Sequence, residues 1–134
     1  MEEGFEIFLV EDRITGFTLK ERTRDFSYLC FDICQDLPSN YYNNHLKSQL
    51  FRSATSVAAN YSAACNAQSK ASFIAKISIV VEEIDETCYW LALMIDKNIT
   101  DDSRVNNALK EAKELTAIFI KSRMTASNNL RNKQ

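Results

Sequence analysis

Apolar residues recur along most of this chain at the three- and four-residue steps of a helix. Leu46, Leu50, Ala54, Val57, Tyr61 and Ala64 follow one another by four, four, three, four and three, a stripe that predicts a helix capped by Ser39 or Asn40. A longer run, Ile74, Ile77, Val81, Ile84, Cys88, Leu91 and Ile95, keeps a strict three-four alternation behind the capping candidate Ser69. Upstream, Leu19, Phe26, Leu29, Ile33 and Leu37 describe a helix that follows Gly16. It stops before Pro38, because the residue preceding a proline is driven out of the helical region. Downstream, Thr100 with Asp101 and Asp102 suits a helix start, since a hydroxyl can accept an orphan amide and carboxylates favour the positive end of the macrodipole. Val105, Leu109, Ala112, Leu115 and Phe119 supply the stripe of that fourth helix.

Two segments depart from this period. Phe5 to Val10, FEIFLV, is short, apolar and rich in β-favouring residues, so residues 1–16 read as an extended arm ahead of the helices. The polar stretch 125–134 has nothing to bury and is expected to fray. Four helices joined by short links predict one all-α domain over residues 1–134, an antiparallel up-and-down four-helix bundle.

Composition strengthens this picture. The chain has 134 residues, 46% of them hydrophobic, with only two glycines and one proline, little material for the tight turns of an all-β or α/β fold. Cys30, Cys34, Cys65 and Cys88 form no CxxC pair, and three of them sit within runs that read as helix, where a free Cys behaves as a small apolar residue, so no disulfide framework is expected. No apolar run approaches the length of a membrane span and no segment resembles a signal peptide, so a cytoplasmic location with no membrane partner is expected.

The net charge of -2 gives no global attraction to nucleic acid or anionic lipid. It is unevenly spread, however. Residues 104–134 carry Arg104, Lys110, Lys113, Lys121, Arg123, Arg131 and Lys133 against Glu111 and Glu114, whereas Glu82 to Asp102 is mostly acidic.

From Leu37 to Leu93 the sequence resembles the 23S rRNA intervening-sequence proteins, small bacterial four-helix bundles first noticed in intervening sequences of large-subunit ribosomal RNA genes. The residues that carry the likeness are Pro38, Gln49, Leu50, Arg52, Ser56, Val57 and Asn60, then Ser69, Phe73, Ile74, Glu86, Thr87, Tyr89, Trp90 and Leu91. One departure is Ala63 and Ala64, where the family commonly has Glu-Gly after the helix-two Asn. The resemblance implies a bundle without established enzymatic activity. Through relatives that act as accessory proteins of diversity-generating retroelements, it also implies a ring-shaped homopentamer that binds RNA or DNA. Those relatives are strongly basic, and this chain is not.

Candidate chemistry is sparse. A single histidine, His45, rules out the Glu-x-x-His pairs of di-iron bundles and leaves no Ser-His-acid or Cys-His set, so no catalytic residue, metal or cofactor is expected. Ser56, Asn60 and Glu86 are candidates for a structural polar network between helices, with Arg52 or Tyr89 as a partner for Glu86. Lys110, Lys113 and Lys121 fall on one side of helix four, opposite its stripe, and with Arg52 on helix two they form the expected phosphate-contacting set. Tyr89, Trp90, Leu93 and Met94 widen the apolar surface of helix three beyond what a lone bundle needs, which points to a homo-oligomer interface. The expected function is therefore a homo-oligomeric accessory protein that binds nucleic acid. The alternative is an assembly scaffold that touches none.

Overall fold

The computed structural model describes residues 18–132, so the expected arm lies outside the described residues. Four helices and no strand occur in this range: α1 (Leu19–Asp36), α2 (Tyr41–Cys65), α3 (Lys70–Asp96) and α4 (Arg104–Asn132). Each start has a local cause. Thr18 and Glu21 form a reciprocal capping box, and Asn40 and Ser69 accept the third amides of α2 and α3. Leu37 is extended ahead of Pro38, which ends α1.

The α3–α4 link differs from the expected one. Asn98 adopts φ 51°, the left-handed region that Asn tolerates. Its N–H bonds the carbonyl of Ile95 at 3.1 Å while that of Ile99 bonds Met94 at 2.9 Å, the paired bonds of a Schellman motif. Thr100 does accept an amide, that of Asp102, but the helix begins only at Arg104, whose N–H is taken by Asp102 at 3.0 Å. The chain needs those residues to turn before it can wind.

Neighbouring helices touch in the order α1, α2, α3, α4, and α1 also meets α4 along its other side. Contacting positions descend on α3 as they rise on α2: His45 meets Trp90, and Arg52 meets Glu83 and Glu86. They do the same for α1 and α4, where Arg22 meets Glu111 and Glu114 and Asp36 meets Arg104.

All six stripe residues of α2 are buried. At roughly 1.5–3 kcal/mol for each large apolar side chain removed from water, this stripe offsets part of the entropy of ordering its helix. On α3 the expected Ile77, Ile84 and Leu91 are buried, but the other core positions fall one residue earlier than expected: Phe73, Val80, Thr87 and Met94 are buried, while Ile74, Val81, Cys88 and Ile95 pack half-buried at the flank. Thr87 can sit at the centre because its hydroxyl is satisfied. It donates to the Glu83 carbonyl at 2.8 Å and lies 2.9 Å from Ser53 Oγ on α2. At its far end α4 runs through Asn132, with Ala126 buried.

Candidate interaction surfaces

The basic side of α4 is built by the ion pairs behind it. Arg22 on α1 grips Glu111 through both Nε (3.2 Å) and Nη2 (2.5 Å) and reaches Glu114 at 3.4 Å. The hydrogen bond to Glu111 outweighs desolvation and holds the guanidinium above its usual range. Both acids of α4 are thus drawn toward α1, while Lys110, Lys113 and Lys121 are exposed and have no acidic partner among the described residues. Arg104, at the start of the same helix, is committed to Asp102 and Asp36. Its side chain holds the Asp102 carboxyl below the usual carboxylate range.

Arg52 does not join the lysines. It lies across the α2/α3 seam, 3.0 Å from Glu83 and also bonded to Glu86, so its charge is already balanced. The partner foreseen for Glu86 is present, but Arg52 is a cross-brace rather than a free phosphate contact. Ser56 and Asn60 are likewise local. Asn60 donates from Nδ2 to the carbonyl and hydroxyl of Ser56, both at 2.9 Å and both within α2. The bond that joins helices is instead Ser53 to Thr87. Periodicity favours apolar letters in the stripe and so passed over both hydroxyls.

Of the four residues expected at an oligomer interface, Met94 is only 1% exposed and belongs to the internal core, a direct result of the shifted α3 register. Trp90 and Leu93 pack partly against that core, and Tyr89 remains 60% exposed. A second apolar face, not foreseen, lies on α1 and α2. There Tyr28, Phe31 and Phe51 are exposed, and the rings of Phe31 and Phe51 are 5.7 Å apart.

A concavity of about 930 Å³ opens where α2 begins and α3 ends. Its walls include Tyr41, Tyr42, His45, Trp90, Lys97 and Asn98. Trp90 is the hub: the His45 ring stands edge-on at 5.6 Å and Tyr89 edge-on at 5.0 Å. Sequence reading divided these residues between a helix start and an interface, because they are about fifty positions apart and only the α2/α3 pairing brings them together.

Elsewhere the chemistry is quiet. Burial pushes the thiols of Cys30 and Cys34 up, the latter to about 11, which makes both poor nucleophiles near neutral pH. Among the described residues no group of His, Cys, Asp or Glu is placed to hold a metal ion, and no helix is long and apolar enough to cross a membrane.

Comparison with known proteins agrees with this architecture. No curated protein matches the chain. A similar solved structure is the crystal structure of a protein with unknown function from the S23 ribosomal protein family of Bacteroides thetaiotaomicron. It is 26% identical, with 76% of this chain and 94% of that one covered at a TM-score of 0.68. Neither that description nor the family's assigns an enzymatic reaction. Residues 17–121, which include α1, α2, α3 and most of α4, match the pattern of the 23S rRNA-intervening sequence proteins, and the chain belongs to that family.

Proposed function

We propose that this protein is a non-enzymatic, homo-oligomeric bundle that binds nucleic acid through the outer side of α4. One observation carries the reading. Arg22 holds both acids of α4, which leaves Lys110, Lys113 and Lys121 as exposed charges without acidic partners among the described residues. A net charge of -2 makes one such strip weak, but a closed ring repeats it in every copy, and binding strength grows steeply with linked contacts. The pentamer implied by the resemblance would present five. Self-association through the aromatic face of Tyr28, Phe31 and Phe51 leaves the α4 strip open, because the two lie on different helices.

The test is a salt titration of duplex affinity for the wild type and for the triple change Lys110→Gln, Lys113→Gln, Lys121→Gln, with particle mass followed by light scattering. Each lost phosphate contact lowers the slope of log affinity against log salt by about 0.9, so a loss of roughly two to three is expected with mass unchanged at several times 15.3 kDa. An unchanged slope would overturn the α4 assignment. A multimer that binds no nucleic acid at low salt would favour the assembly scaffold, and a 15.3 kDa particle would remove the ring.

A further inference from the structure

We infer that the cleft between the start of α2 and the end of α3 is a receptor for one unpaired nucleotide of a single strand. The inference rests on the nucleic-acid reading above and places a second, distinct contact on α2 and α3, apart from the lysine strip of α4. Tyr41 and Tyr42 are 84% and 74% exposed at the mouth of the cleft, and their rings lie 5.3 Å apart, edge to face. Tyrosines displayed this openly contribute little to folding. Their faces are free to stack on a planar ring, a contact worth about 1–3 kcal/mol per base.

The polar groups of the cleft fit the rest of a nucleotide. The N–H groups of Tyr41 and Tyr42 open α2 and have no acceptor among the described residues, since the Asn40 cap takes the amides of Asn43 and Asn44 instead. Lys97 stands across from them as the C-cap of α3. Two amides and one ammonium make a place for a single phosphate. Asp36 and Asp102, acids near this end of the bundle, are held by Arg104. The Trp90 indole Nε1 is buried and has no hydrogen-bond partner among the described residues. The Trp90 ring itself forms part of the cleft wall. Asp96 and Asp101 flank Lys97 closely in sequence, so the cleft suits one phosphate and one base rather than a length of duplex backbone.

Trp90 is the chain's one tryptophan and therefore reports on this cleft directly. The protein is titrated with a twelve-nucleotide oligo(A), with the same strand annealed to oligo(U), and with a short peptide ending in a phenylalanine carboxylate. The single strand is expected to quench Trp90 emission, and Tyr42→Ala is expected to weaken single-strand binding about tenfold with duplex binding unchanged. The triple lysine change should do the reverse for the duplex. Lysine-dependent duplex binding with a Trp90 signal that ignores oligo(A) would overturn the cleft assignment and leave the α4 reading standing. If neither strand form binds, both fall. A Trp90 response to the peptide alone would assign the cleft to a protein partner and overturn the nucleotide.

Discussion

Along the α2/α3 seam the helices meet through a continuous buried surface crossed by the Ser53–Thr87 hydroxyl pair, with the Arg52 brace outside it. Along the α1/α4 seam contact is sparser, and the named cross-links are ion pairs at the rim, from Arg22 to Glu111 and Glu114 and from Arg104 to Asp36. All four helices share one apolar core, and the two seams differ in what crosses them beside it. Burial of apolar area is insensitive to salt, and a buried hydrogen bond is costly to leave unmade. A half-exposed ion pair contributes about 1 kcal/mol or less and is screened. The weaker seam is also the one that sets function in our reading, because Arg22 removes α4's acids from its lysine strip.

The largest effect that can break this contrast is expected from Ile84→Asp, which places an unpaired carboxylate at the centre of the well-packed seam. A cost on the order of 3–5 kcal/mol against a typical total of about 5–15 should abolish or severely lower the cooperative helical melt seen by circular dichroism. A melt like that of the wild type would show that the α3 register is wrong.

A finer probe is Thr87→Val, which keeps the volume and deletes the hydroxyl. Ser53 retains the Leu50 carbonyl as an acceptor at 3.3 Å, so the expected loss is about 1 kcal/mol, read from the urea midpoint with the slope unchanged. No shift in midpoint would mean that apolar packing alone closes the seam.

The smallest change is expected from Arg22→Gln. It should destabilise by about 1 kcal/mol or less in low salt and by nearly nothing in molar salt. Hydrogen exchange should be faster in α1 than in α3, and the variant should widen that gap only at low salt. Equal protection of α1 and α3 in the wild type would erase the distinction between the seams.

How legible the molecule is depends on how much choice each helix leaves. On α2 polar and apolar residues separate cleanly, and Leu46 through Ala64 read directly as core, with the cap narrowed to Ser39 or Asn40, of which the structure uses Asn40. On α3 nearly every side is apolar, so the three-four rule fits two adjacent registers, one through Cys88 and Ile95 and one through Thr87 and Met94. Only the partner decides, because Ser53 Oγ on α2 stands as a hydrogen-bond acceptor 2.9 Å from the Thr87 hydroxyl. That choice removed Met94 from the surface and, with it, part of the expected interface.

The existence of four helices, the cap at Ser69, a cap at Ser39 or Asn40 and the core stripe of α2 follow from the chain's own order of residues, because those are decided by interactions across three or four positions. The opposite holds for the surfaces. Arg52 reads as a free cation until Glu83 and Glu86 are set beside it, and Glu114 reads as a break in the lysine strip until Arg22 draws it away. Likewise Tyr42 and Trp90 share a cleft only once α2 lies against α3. Charge balance and concavity are properties of residues distant in sequence, so they came into being with the tertiary structure.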